Sequence, residues 1–311
     1  MVRRTHFWTA VVLLSAILST GCLFRSRKVP QRVVLAAGRT ATLDDLIAYM
    51  NSEGAKVQSL NATVDIDTSV GGSKKGKVTD FKQIRGYILV RKPDRLRMIG
   101  LYPIVRNRAF DMVSDAQGFK LYIPAKNTFY VGPAEVIHPS ANMLENLRPQ
   151  VIYDALLIHP VDPKTELAVL EQSAEIVNDV KTKKIEESPT YVVDVIRKGD
   201  KGWYLSRKVI FSRADLLPHR QLIYDREGNL VTEAKYEAYK EFNGVQFPND
   251  IDIWRPKEEY SIGITVVKLT INEQLSNDQF ALEQPPGAQV VRLDSNGSSS
   301  QPSPGGGEKN K

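Results

Sequence analysis

Cys22 is the only cysteine in a chain of 311 residues, and its neighbours mark it for lipid attachment. Arg3 and Arg4 precede a twelve-residue apolar run from Phe7 to Leu18, and the small residues Ser19-Thr20-Gly21 lead to the cysteine. A secretory signal has these parts in this order, and a bacterial lipoprotein is cut and acylated at such a cysteine. Ser19 stands where Leu, Val or Ile is usual, with Leu18 one residue earlier. A thioether-linked diacylglycerol plus an N-acyl chain would hold the protein at a membrane, at about 0.8 kcal/mol per buried CH₂. The same residues admit an uncleaved transmembrane anchor or plain cleavage leaving a free thiol. The first needs about 20 apolar residues, and Arg25, Arg27 and Lys28 follow closely. With one cysteine no intramolecular disulfide can form, so the fold depends on its core.

Other residue groups are of types that could carry chemistry. Gly71-Gly72-Ser73-Lys74-Lys75-Gly76-Lys77 fits seven positions of a P-loop, but Val78 replaces the Ser or Thr that would bind Mg²⁺. A charged hairpin tip is the better account. His138, His159 and His219 lack metal-site spacing. No Gly-x-Ser-x-Gly elbow occurs, and Glu186-Glu187 and Glu258-Glu259 read as solvated turn charges rather than acid/base pairs. The sequence implies no cofactor, no metal and no enzyme, although scattered carboxylates leave a hydrolase open.

Charge separates a stalk from a body. The formal charge of +6 falls to +4 without Arg3 and Arg4, over a mature chain of 290 residues. Arg25, Arg27, Lys28, Arg32 and Arg39 supply +5, the segment from Asp294 is neutral, and residues 44–293 carry about −1. A basic stalk suits anionic lipid headgroups, at about 1 kcal/mol per Lys or Arg. A nucleic-acid partner would need a basic face on the body, and none can be argued.

These residues must be positioned by a mostly β chain. Thr42 with Asp45 caps a helix over about 43–57, on which Leu43, Leu46, Ile47 and Met50 share a face. Strand patterns follow at Leu60–Asp67, Phe81–Lys92, Arg95–Ile99, Ala109–Asp115, Phe119–Ile123 and Thr128–Val131. Ser140 can cap a helix through Leu147, and Pro149 can open another through Leu157. Strands then run at Thr190–Arg197, Leu205–Phe211, Pro218–Tyr224, Asn229–Tyr239, Val245–Trp254 and Ser261–Ile271. Glu227-Gly228-Asn229 and Asn243-Gly244 signal hairpins. Ile262, Ile264 and Val266 share one phase and Val267, Leu269 and Ile271 the other, which predicts a bulge.

The expected fold is therefore mainly β: a single curled antiparallel sheet of about eleven strands, an unclosed β-barrel with a helical lid. Residues 1–21 form the signal, 22–42 the basic tether, 43–293 the half-barrel, and 294–311 a Ser/Gly/Pro-rich disordered tail. Leu96, Met98, Phe110, Met112, Ile253 and Ile264 are candidates for an apolar inner surface. Helices that fill the interior would make this an ordinary core, whereas helices that only cover it would leave room for acyl chains.

The run Lys92-Pro93-Asp94-Arg95-Leu96-Arg97-Met98-Ile99-Gly100-Leu101-Tyr102-Pro103-Ile104, with Val113-Ser114-Asp115-Ala116-Gln117-Gly118 after it, resembles the LolA/LolB superfamily. Pro218-His219-Arg220-Gln221, Tyr224-Asp225 with Gly228, and Gly244-Val245-Gln246-Phe247-Pro248 continue the likeness over roughly residues 43–293. The lipid-anchored LolB branch is the nearer match, since LolA proteins lack the anchor cysteine. The resemblance implies an unclosed barrel whose cavity takes lipid or lipoprotein acyl chains, a periplasmic carrier protein as partner, and an exposed apolar residue after a loop proline. That residue would be Ile104, with Leu101 and Tyr102 beside it as further membrane contacts; a buried strand position for Ile104 stays open. The segment around Val161–Glu187 has no counterpart in the resemblance. Leu23, rather than an aspartate, after Cys22 favours the periplasmic face of the outer membrane by the sorting rule of some bacteria. An envelope scaffold with a filled core is the alternative function.

Overall fold

The computed structural model describes residues 33–34, 38–74, 76–134, 148–179 and 184–293. Cys22, the basic stalk to Arg32, His138, the helix expected after Ser140 and the tail from Asp294 lie outside them. The chain divides into two compact units, 1–35 with 176–187, and 36–175 with 188–311. In the first, Val33–Val34 (β1) pairs in parallel with Glu186–Glu187, which places those two glutamates in a strand rather than a turn.

The second unit begins its regular structure at α1 (Leu43–Lys56), where the Thr42 hydroxyl accepts from the Asp45 N–H and the Asp45 carboxylate accepts from the Thr42 N–H. These contacts satisfy donors that a helix start leaves unpaired. Strands β2 (Ser59–Gly72), β3 (Lys77–Asp80), β4 (Ile84–Arg91), β5 (Arg95–Leu101), β6 (Arg108–Ser114), β7 (Gly118–Ile123) and β8 (Thr128–Pro133) follow. After α2 (Pro149–Leu156) come β9 (Glu166–Asp179), β10 (Lys184–Gly199), β11 (Gly202–Ser212), β12 (Pro218–Tyr224), β13 (Leu230–Glu237), β14 (Lys240–Phe242), β15 (Val245–Phe247), β16 (Asp250–Arg255), β17 (Tyr260–Ile271) and β18 (Gln289–Arg292).

The main sheet runs β10-β11-β12-β13-β16-β17-β2-β4-β5-β6-β7-β8-β18, with β9 beside β10 and β3 beside β2. The order has two ends and makes no ring among the described residues. Helix α2 touches β5 and β6 on one arm and β13 and β16 on the other. Six inter-strand steps separate β6 from β13, about 29 Å on a flat sheet. One helix about 10 Å wide reaches both only because the sheet curls around it. Register shifts at Val195/Ile196, Ile210/Phe211, Ile223/Tyr224, Gly100/Leu101 and Val266/Lys268 assist the bending. The last is the bulge expected from the phase change, and it leaves Val267 exposed.

The mainly β, curled and unclosed architecture is as expected, but the sheet counts sixteen strands, β1 included, rather than about eleven. The additions are largely β9, β3, β18 and β1. The single strand expected over Val245–Trp254 is two: β15 pairs with β14 in a separate hairpin, and Pro248-Asn249 divides it from β16. Pro248 has no N–H for a ladder. Asn243 and Gly244, at φ 51° and 79°, make the tight turn of that hairpin. The Gly71–Lys77 segment joins β2 to β3, a hairpin tip and not a helix opening.

Glu258 and Glu259 are buried rather than solvated. Glu258 receives two hydrogen bonds from Arg255 (2.9 and 3.1 Å), and Glu259 accepts from the Lys74 N–H at 2.8 Å. Proximity to the β2–β3 tip, invisible in the local sequence, encloses Glu259.

Candidate functional site

Among the described residues, the curled sheet's concave face is filled in one half and open in the other. On the filled side, Leu46 and Met50 of α1 pack on Tyr191, Val193, Val195, Val209 and Phe211 of β10 and β11. The centre is closed by α2, whose Ile152, Tyr153, Ala155 and Leu156 join the core of β2, β4, β5, β13, β16 and β17. Hydrogen bonds fix α2 in place. The Tyr236 hydroxyl donates to Ala155 O at 2.9 Å, Gln221 Nε2 to Asp154 O at 3.1 Å, and the Tyr153 hydroxyl to Pro93 O at 2.5 Å. Burial pushes both tyrosines well above the usual phenol range, so they remain donors. Helix α2 is thus a partition inside the sheet.

Beyond α2 lies a cavity of about 500 Å³. Its wall is Ile66 and Ile262 from β2 and β17, Ile84 and Met98 from β4 and β5, then Phe110 and Met112 from β6. Phe119, Leu121 and Ile123 of β7 and Tyr130 of β8 complete it, and Arg148, Pro149 and Ile152 at the start of α2 form its inner boundary. The guanidinium of Arg148, itself 3% exposed, lies 5.1 Å from the Phe119 ring centre. Volume and lining fall within the range of small-ligand sites, roughly 300–1,000 Å³ and mostly apolar.

Strand register sets where the cavity opens. Arg85 pairs with Leu101, Leu101 with Arg108, and Ile123 with Thr128, so the connections 81–83, 102–107 and 124–127 all lie at one end of the sheet. Phe81, Lys82, Tyr102, Pro103 and Lys126 from these connections line the cavity. Beside them stand Ile104, 99% exposed, and Val105, 65% exposed. The loop is held by Tyr102 N–H to Asn107 O (2.9 Å), Arg106 N–H to Tyr102 O (3.1 Å) and Val105 N–H to Pro103 O (2.8 Å). Ile104 has φ 71°, a conformation that is a genuine outlier for a β-branched residue. An exposed, strained isoleucine is the opposite of a buried strand position.

Of the residues expected to line a cavity, Met98, Phe110 and Met112 do so. Leu96, Ile253 and Ile264 are on the concave face but lie in the packed core, at 0, 0 and 2% exposure. Leu101, Tyr102 and Ile104 share a shallow surface depression with Arg106 outside the mouth, and Tyr102 also lines the cavity. Sequence reasoning does not single out Ile66, Ile84, Ile152, Ile262, Phe119, Leu121, Ile123, Tyr130, Phe81 or the three cations, all of which line the cavity. The alternation Phe119-Leu121-Ile123 was a usable signal, because Leu121 pairs with Met112 and so shares its face.

Charged clusters elsewhere are internally paired. Asp111, fully buried, binds Arg97 (2.8 and 3.0 Å) and Arg108 (3.0 Å). Glu166 binds Arg207 (3.0 and 3.1 Å) and Arg197 (2.7 and 2.9 Å). His159 and His219 each pair with one aspartate, Asp154 at 3.2 Å and Asp215 at 2.8 Å. No group of three metal-ligating side chains occurs among the described residues, and none of their helices is long and apolar enough to cross a membrane.

No protein-family description and no curated protein matches the sequence. Among solved structures, the chain is similar to a LolA superfamily protein from Nitrosomonas europaea, at 11% identity and a TM-score of 0.47, over 76% of this chain and 97% of that one. It is also similar to a putative outer membrane lipoprotein-sorting protein domain from Vibrio parahaemolyticus, at 14% identity and a TM-score of 0.47, over 76% of this chain and 94% of that one.

Proposed function

We propose that this is a non-enzymatic envelope lipoprotein that takes an acyl chain of a lipid or lipoprotein into the cavity beyond α2. In this reading a lipid on Cys22 holds the protein at the periplasmic face of the outer membrane, residues 22–42 form the tether, and a periplasmic carrier delivers the cargo. The observation that carries the reading is an apolar cavity of about 500 Å³ whose open end is edged by exposed apolar loops. Burying an aliphatic chain there gains about 0.8 kcal/mol per methylene. Phe81, Ile104 and Val105 lie at the same end, together with Lys82, Arg106 and Lys126. Apolar tips ringed by cations suit the boundary between acyl chains and anionic headgroups.

The test is native mass spectrometry of the full-length Cys22→Ser protein after detergent-free purification. Co-purified or exchangeable lipid is expected, and its loss in Leu121→Trp, which fills the cavity, would locate it. A folded protein that neither retains nor takes up an acyl probe returns the reading to an envelope scaffold, which the packed half around α1 would also suit.

A further inference from the structure

Among the described residues, the charged side chains that line the cavity are Lys82, Lys126 and Arg148, with no carboxylate. Lys82 comes from the connection before β4 and Lys126 from the short 3-10 turn Pro124–Lys126 between β7 and β8. Both are exposed, and neither ammonium has an ion-pair partner among the described residues. Carboxylates of the same sheet are engaged elsewhere: Asp80 receives the Ser69 hydroxyl, Asp67 the Gln83 amide, and Asp111 two arginines. Helix α2 presents its N-terminus to this space, with no acidic residue in its first turn and no side-chain cap. A helix start carries partial positive charge.

Two lysine ammoniums at the cavity's edge suit an anionic head better than a neutral one. We propose that the cavity selects an amphiphile with an anionic head, carboxylate or phosphate, its chain lying among Met98, Phe110, Met112 and Leu121 and its head between Lys82 and Lys126. This rests on the acyl-binding reading above and adds the charge of the ligand to it. Each partly exposed ion pair contributes modestly, so two together give about a tenfold preference over a neutral head at low salt. Screening should shrink that preference as salt rises.

Full-length Cys22→Ser protein would be titrated, without vesicles and below micelle concentrations, with three lauroyl amphiphiles: lysophosphatidylglycerol, lysophosphatidylcholine and monoacylglycerol. The anionic probe should bind about tenfold more tightly than the other two. The double variant Lys82→Gln/Lys126→Gln, at two exposed positions, should lose that advantage, so that its affinities for the three probes converge. Equal binding of all three overturns the anionic selectivity and leaves the acyl cavity standing. A preference that survives in the double variant overturns the assignment to these lysines. If none of the probes binds, the cavity reading falls together with the selectivity.

Discussion

Ile104 combines two costs that a passive loop residue would not keep together. Its side chain is 99% exposed, and its backbone sits at φ 71°. A non-glycine residue held in such a conformation costs about 1–3 kcal/mol. Glycine would relieve that strain, although its greater freedom in the unfolded chain takes back about 0.5–1 kcal/mol. Ile104→Gly should therefore melt at the same temperature or higher. Yet burial of an isoleucine in a bilayer boundary is worth about 1.5–3 kcal/mol, so binding of the Cys22→Ser form to anionic vesicles should weaken by about tenfold or more. Thermal melts and vesicle sedimentation measure the two effects separately. A variant that sediments as well as its parent would remove Ile104 from the membrane contact. Leu96, Ile253 and Ile264 belong to a different category. They are enclosed by protein, so truncating any of them to alanine should reduce stability by about 2–5 kcal/mol.

At the scale of elements, β9, β10 and β11 are joined by one buried carboxylate. Glu166 begins β9 and receives Arg197 of β10 and Arg207 of β11. Burial alone would raise its pKa, but the hydrogen bonds and charges of the two arginines outweigh this and hold it below the ordinary 4.5. A carboxyl depressed by folding stabilises the protein above its unfolded value, and that contribution is lost as pH falls below about 4.5. Glu166→Gln should cost about 3–5 kcal/mol at neutral pH, because Arg207 is left buried without its partner. Denaturant melts at pH 7 and pH 3.5 should show the gap between variant and parent narrowing in acid. None of this was legible beforehand, since the partners are 31 and 41 residues away along the chain. What could be read was local. The Thr42/Asp45 cap, Pro149 at a helix start, the Asn243-Gly244 turn and the phase change at Val267 each act within a few residues, and each occurs in the structure. Inward positions could be read by alternation, but not which of them would meet a helix. Leu96 and Met98 are neighbours on one strand face, yet only Met98 reaches open space.

For the molecule as a whole, filling and emptiness are separate regions of one curled sheet, divided by α2. A cover over an empty barrel would have to swing away for cargo to enter. An inner helix fixed by Tyr153, Tyr236 and Gln221 need not move, because the cavity opens at the end edged by residues 81–83, 102–107 and 124–127. The two regions should then fail independently. Leu46, 2% exposed where α1 meets β10 and β11, serves only the filled region. Leu46→Ala should lower stability by about 2–5 kcal/mol, while the remaining folded protein binds an acyl probe with unchanged affinity. Leu121 is half-buried and faces the cavity, so Leu121→Trp occupies existing space and should leave the melting temperature near that of the parent. Its acyl-probe affinity should drop by at least tenfold. Denaturant titration and probe fluorescence on the two variants make a crossed comparison. If Leu46→Ala weakens binding as much as it weakens the fold, the two regions are one cooperative core and α2 does not divide them. If the crossed pattern holds, the packed half maintains the sheet's curvature and the open half is left free for the ligand.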